Sequence, residues 1–369
     1  EETSVFGLDL SAVSGRIHFA EGEGARLTAI DLRLARGGSV RIDGPLHPDN
    51  TLDLDIIGDT ADWSQLAPIL AVPGLRGAGR ATGRVIGTSE RPIIDVAGRF
   101  TGVDGWGLLA DSLNLVRLTG PILPKPELAG RAEATGLIAL GRKLDAVSLD
   151  FEWKEPRLSM LGFNAVSFDT TAAGSGWMEF DPAREAMALS LQGSHLAVGR
   201  FDWIPDREVT MTGVGERYTL DPVRWSSAAG FATLSGTFDT GASRMDLLID
   251  DMDIDLLTLA GEDAAPEMRG GRLQGRLRLN GANSHPDPSG RLRLVDFRWG
   301  LGIVDSSMAD FEAIGRAMTI REASIQIGEG TATASGRVQL PGPAWEVVND
   351  WLNKKPVAWE RVDLGDLDV

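Results

Sequence analysis

Strict alternation of apolar and polar residues dominates the chain. It is seen in Leu52-Asp53-Leu54-Asp55-Ile56, Leu113-Asn114-Leu115, Val147-Ser148-Leu149-Asp150-Phe151, Leu189-Ser190-Leu191, Leu277-Arg278-Leu279, Leu292-Arg293-Leu294 and Ile325-Gln326-Ile327. A period of two sends every second side chain to one side of a pleated backbone, so each run predicts a strand with one apolar and one wetted face. Turn signals such as Gly37-Gly38, Gly44-Pro45, Asp181-Pro182, Gly270-Gly271 and Pro286-Asp287-Pro288 fall between the runs. That punctuation predicts a meandering antiparallel sheet. At about 12 residues per strand and turn, the chain would hold roughly 30 strands.

The chain also repeats itself. Leu27-Thr28, Gly38, Gly44 and Leu52-Asp53-Leu54 are answered by Thr219-Leu220, Gly230, Gly236 and Met245-Asp246-Leu247. In the same register, Gly83-Arg84-Val85 is answered by Gly275-Arg276-Leu277, and Gly98-Arg99-Phe100 by Gly290-Arg291-Leu292. One unit of about 190 residues therefore occurs nearly twice. A shorter phrase recurs as Phe231-Ala232-Thr233-Leu234-Ser235-Gly236 and Thr331-Ala332-Thr333-Ala334-Ser335-Gly336, read as strands that end on Ser-Gly. The expected organisation is a first repeat over 1–130, an intervening β segment over 131–215, a second repeat over 216–340, and a C-terminal helix and tail over 341–369. Short helical turns are predicted at Asp62–Leu70, where Pro68 limits the run, and at Asp255–Leu259. Between Ala344 and Lys354, Trp345, Val348, Trp351 and Leu352 share one helical face, read as a cap over the last strand rather than a membrane-surface helix, because the polar side is mixed in charge and not basic.

Composition narrows the function. Apolar residues at 43% and 10 tryptophans argue for a folded chain despite 45 glycines and 18 prolines. The balance of 36 basic and 53 acidic residues gives a net charge of −17, with the basic residues scattered singly. That excludes a nucleic-acid footprint and a polybasic membrane anchor, both of which need clustered Lys and Arg. Cysteine is absent, which removes disulfides, thiolate nucleophiles and thiolate metal sites. No apolar run reaches the roughly 20 residues that span a bilayer. The start at Glu1, without Met or a signal-type segment, suggests a processed form or a piece of something longer, with any anchor outside it.

Little catalytic chemistry is legible. His18, His47, His195 and His285 are far apart and lack the spacing of a zinc site or triad, so solvent-facing histidine is the expectation. The string Gly77-Ala78-Gly79-Arg80-Ala81-Thr82-Gly83 departs from nucleotide-loop spacing and reads as turn glycine. Asp251, Asp253, Asp255 and Glu262 superficially match a calcium loop, but Leu256 stands where such a loop needs glycine. No cofactor, metal or enzymatic activity is expected.

A sheet with one apolar face must cover it with another sheet, with helices, or by curving upon itself. With few helices and a repeat that adds strands, the expected fold is all-β: a long, curved antiparallel sheet folded into a groove, built from diverged repeats with a few short helices. Here the residues resemble a family. Asp62-Trp63-Ser64-Gln65-Leu66-Ala67-Pro68-Ile69-Leu70, Leu75-Arg76-Gly77, Gly83-Arg84-Val85-Ile86-Gly87-Thr88, Pro92-Ile93-Ile94 and Gly98-Arg99-Phe100 are similar to a run found in TamB-like proteins of the AsmA superfamily. Phe311, Met318-Thr319-Ile320 and Ala332-Thr333-Ala334-Ser335-Gly336-Arg337-Val338 resemble the same group. The resemblance covers both repeats, with 121–215 alike only in texture. It implies a β-taco with an apolar interior, a periplasmic location, and tethering to the inner membrane through residues outside this chain. It further implies phospholipid movement to the outer membrane and a link to outer-membrane protein assembly.

The physics of an open trough points the same way. Each methylene leaving water for an apolar lining gains about 0.8 kcal/mol, and a non-directional lining lets acyl chains slide. The lining residues expected from the alternation are Leu54, Ile56, Leu113, Leu115, Leu189, Leu191, Leu247, Ile249, Leu277, Leu279, Leu292, Leu294, Ile325 and Ile327. Three other readings use the same residues or strands: a closed, dry core, a chaperone that pairs sheet edges with client strands, and an adhesion module. A one-residue error in register would swap the inward and outward faces.

Overall fold

The computed structural model describes residues 3–5, 8–20, 24–62, 64, 76–105, 108–139, 142–168, 170–181, 183–198, 201–215, 217–239, 241–253, 268–282, 285–299, 302–347, 361–363 and 368. The chain divides into two units, Glu1–Phe180 and Asp181–Val369. Each is a curved, all-β antiparallel sheet.

The first unit runs β1 (Thr3–Val5), β2 (Leu8–Ala20), β3 (Gly24–Leu34), β4 (Ser39–Leu46), β5 (Thr51–Thr60), β6 (Arg76–Thr88), β7 (Pro92–Gly105), β8 (Leu108–Pro121), β9 (Glu127–Ala139), β10 (Arg142–Lys154), β11 (Arg157–Ser167) and β12 (Thr170–Asp181), which ends at the border. Each strand pairs antiparallel with the next. The second unit runs β13 (Ala186–Val198), β14 (Phe201–Pro205), β15 (Val209–Val214), β16 (Arg217–Ser227), β17 (Gly230–Phe238), β18 (Ala242–Asp253), β19 (Met268–Arg269), β20 (Arg272–Ala282), β21 (Asp287–Trp299), β22 (Gly302–Ile314), β23 (Ala317–Ile327) and β24 (Gly330–Gln339). Here β14 and β15 together occupy one strand position between β13 and β16. The described residues form 24 strands rather than 30, because strands such as β7 and β8 run to 14 residues.

Both units use the same bulge. Leu27 pairs with Gly44 and Ile30 with Ile42, so Thr28 and Ala29 together face Asp43. Leu220 pairs with Gly236 and Val223 with Leu234, leaving Asp221 and Pro222 opposite Ser235. Ile320 pairs with Gly336 and Ala323 with Ala334, leaving Arg321 and Glu322 opposite Ser335. An extra residue on one strand bends it and increases its twist, which curves the sheet. The Asp-Gly and Ser-Gly pairs thus sit inside β4, β17 and β24, and Gly44-Pro45 is not a turn. Glycine is needed there for space: a Cβ on Gly44, whose φ is +140°, would lie 2.1 Å from the Asp53 carbonyl oxygen.

The string from Gly77 to Gly83 likewise lies within β6 and not in a turn. A Cβ on Gly79 would meet the Arg99 carbonyl oxygen at 2.4 Å, and one on Gly83 the Asp95 carbonyl oxygen at 2.3 Å, so these glycines let neighbouring backbone approach. Of the predicted helices, Ala344–Val347 is helical, and Ala344 and Val347 are buried with Ala313 and Leu340 against Met318. The remainder of that helix to Lys354, most of Asp62–Leu70 and the whole of Asp255–Leu259 lie outside the described residues.

Candidate functional site

Directly paired residues of an antiparallel ladder project from the same face, so the registers decide which side chains share a surface. In the first unit Leu54 pairs with Val85, and Val85 with Ile94. Ile56 is flanked by Ile42 and Gly83. Leu113 lies between Phe100 and Ala134, and Leu115 between Gly98 and Ala132. The same face continues through Val147, Leu149 and Phe151 to Met160, Phe163 and Ala165. Leu54, Ile56, Leu113 and Leu115 are therefore on one surface, and all are half-buried.

The second unit repeats the arrangement. Leu189 pairs with Met211 and Leu191 with Val209. Leu247 pairs with both Leu234 and Leu277, and Ile249 with Ala232 and Gly275. Leu277 and Leu279 face Gly290 and Pro288, while Leu292 and Leu294 face Gly275 and Leu273. Leu294 then leads through Ser307 to Ile325 and Ala332, and Ile327 pairs with Gly330. Leu189, Leu191, Leu247, Ile249, Leu277, Leu279, Leu292, Leu294, Ile325 and Ile327 thus share one face. Most are half-buried, Ile249 is buried, and Ile327 is 54% exposed.

The face is not uniform. Leu247 packs against a buried cluster of Trp203, Ala229 and Ala232 that closes part of it. Farther along, Leu273, Leu292, Leu294, Ala309, Ala323 and Ile325 line a hollow of about 400 Å³. That volume falls in the range of small-ligand sites. Across both units, alternation in leucine and isoleucine triplets picked out part of the apolar face and missed Phe100, Met160, Phe163 and the alanines of β9 and β22 to β24. The missed signal was alternation that counts Ala and Gly as apolar positions, as in Ala132-Glu133-Ala134.

The opposite face carries a lattice of ion pairs. Arg84 reaches Asp53 at 2.5 Å and Asp55 at 3.5 Å, and at the equivalent place in the second unit Arg276 reaches Asp246 at 2.8 Å. Arg117 donates two hydrogen bonds of 2.9 Å to Asp95, holding that carboxyl below its ordinary value and the guanidinium above its own. Partial burial pushes the Asp246 carboxyl up, yet hydrogen bonds and charge from Arg278 and Arg276 bring it below the usual range. Asp43 is held low by the Ala29 N–H at the bulge and by Arg41. Exposed pairs like these add little stability singly, but they fix which face is wetted.

All four histidines are exposed, and His285 bonds Glu346 at 2.9 Å. Of the apparent calcium loop, Asp251 and Asp253 lie at the end of β18 and Asp251 pairs with Arg272; Asp255 and Glu262 lie outside the described residues. Among the described residues no group of His, Asp and Glu is placed to hold a metal ion, and no helix is long and apolar enough to cross a membrane. No family model matches the chain, and neither does any curated protein or solved structure.

Proposed function

We propose that this chain is a non-catalytic carrier of lipid acyl chains, which lie on the apolar face of each unit while phospholipid head groups stay in water. The observation that carries the reading is that the aliphatic residues of each unit share one face and remain half-open. A closed sandwich would bury them between two layers. Leaving water for such a face is worth about 0.8 kcal/mol per methylene, and nothing directional pins a chain at one position. The resemblance to TamB-like proteins supports a place in the periplasm, tethered to the inner membrane through other residues and working towards the outer membrane.

Mass spectrometry of lipids extracted from protein purified without detergent tests the reading; phospholipid in at least equimolar amount is the expected result. Leu115→Arg and Leu279→Arg put a charge in mid-face and should remove bound lipid, with circular dichroism reporting whether the sheet persists. A wild-type chain that carries no lipid and takes up none from vesicles overturns the proposal. Pairing of client strands at sheet edges would survive both substitutions, which separates that activity from lipid carriage.

A further inference from the structure

We infer that the free edge of β2 takes an added antiparallel strand from a polypeptide that alternates apolar and acidic residues. On one side β2 pairs with β3 along its length; on the other only Leu8 to Leu10 meet β1. Every residue from Ser11 to Ala20 is exposed. The edge therefore offers the N–H and C=O groups of alternate residues of this stretch, about five of each, to another strand. Protective devices are scarce. The segment holds neither Pro nor Lys, and its register with β3 shifts at Ser11 and again at Gly15, which faces both Ala29 and Ile30. On the apolar face Val13, Ile17 and Phe19 are 56%, 53% and 82% exposed, so an added strand would cover them as well.

The chemistry of the occupant follows from how this chain covers its other terminal strand. β24 carries Ser335-Gly336-Arg337-Val338, and β2 carries Ser14-Gly15-Arg16-Ile17. Both glycines adopt similar conformations, with φ of +141° and +146°. β24 meets the C-terminal tail at two antiparallel bridges, through paired backbone hydrogen bonds of Ser335 with Asp368 and of Gln339 with Asp363. That tail reads Arg361-Val362-Asp363-Leu364-Gly365-Asp366-Leu367-Asp368-Val369, apolar residues interleaved with carboxylates. β2 presents the same phrase, and among the described residues none pairs with its outer side beyond Leu10. On its polar face Arg16 sits opposite Thr28 and His18 opposite Arg26, while the acid of β3, Asp31, faces Ser14 and pairs with Arg33. A second β2 would bring no carboxylate beside Arg16, so charge favours an acidic strand over self-pairing.

The test uses a fluorescein-labelled peptide with the sequence of residues 361–369, titrated with the full chain and followed by anisotropy. Binding is expected to weaken at least about ten-fold in Ile17→Lys, an inward charge of the kind that blocks sheet edges. Arg16→Glu should weaken it about five-fold and restore binding of a peptide in which the three aspartates are lysines. Arg16 and Ile17 are exposed, so melting curves of both variants should match the wild type. Three results overturn the inference. One is no binding at millimolar peptide; another is binding untouched by Ile17→Lys, which would place the peptide elsewhere, as on β24. The third is self-association of the chain that Ile17→Lys abolishes, which would make a second copy the occupant.

Discussion

Truncating a residue of the apolar face should cost far less than truncating a residue of the closed core, and Leu277→Ala against Phe297→Ala measures the difference. Phe297, on β21, is 2% exposed and pairs with Val304, also 2% exposed. A Cβ on Gly271 would stand 2.7 Å from the Phe297 Cβ, so the ring has backbone close against it. Removing such a ring leaves a void that cannot collapse, and the expected loss is about 3–5 kcal/mol. Leu277 sits in mid-face between Leu247 and Gly290 and is only half-buried. Full burial of the methylene equivalents lost in Leu→Ala would be worth about 2.4 kcal/mol, so a half-open site gives about 1 kcal/mol. No cavity term is added, because the space opens outward. Urea unfolding followed by tryptophan fluorescence, on chain stripped of lipid, reads both values. A loss at Leu277 above about 3 kcal/mol, equal to that at Phe297, would mean a second layer packs on the face, and the trough would be a dry core.

Other outcomes follow from the same geometry. Gly44→Ala should destabilise the first unit by more than about 2 kcal/mol, because the new methyl meets backbone of β5, whereas Gly58→Ala, with nothing within 4 Å of its Cβ, should be neutral or slightly stabilising in the same urea experiment. Asp43, Asp95, Asp246 and Asp251 all have carboxyls held below the ordinary 3.8, so their stabilisation is complete above that value and lost as pH falls through the lower, folded values. A melting midpoint independent of these groups from pH 7 to about 5, declining below about pH 4, is the expected profile. Asp246→Asn should cost about 1 kcal/mol at pH 7 and flatten the acid limb, with urea titrations at pH 7 and pH 3.5 as the check.

The all-β fold and the shared face were legible because period-two alternation is a local property that the ladder preserves. Leu54, Leu115, Leu277 and Ile325 needed only their own neighbours in sequence to be assigned a side. The repeat was legible too: Asp53 with Arg84 and Asp246 with Arg276, recognised as matching phrases, form the same cross-strand pair in each unit. Bulges were not legible, since an extra residue such as Ala29 is defined by the strand opposite it. For that reason Gly44 and Gly79 looked like turn residues, although their role is to admit neighbouring backbone. The closing of part of the face by Trp203 was equally hidden, as it depends on β14 doubling up with β15 in one strand position.

A half-open aliphatic face raises the question of what keeps the chain from aggregating. Contiguous apolar patches beyond a few hundred Å² are rare on soluble proteins and mark binding surfaces where they occur. Here the opposite face is armoured with ion pairs and the chain as a whole carries a net charge of −17, so copies repel one another at long range. The apolar face itself has no such guard. An occupant that covers it would therefore do two things at once: it would remove the aggregation hazard, and it would stabilise the sheet by mass action in proportion to its free concentration over its dissociation constant. If lipid is that occupant, stripping it should lower the melting midpoint and increase light scattering together, and returning phospholipid should reverse both. Stripped protein that stays monodisperse with an unchanged midpoint would mean that the face needs no cover.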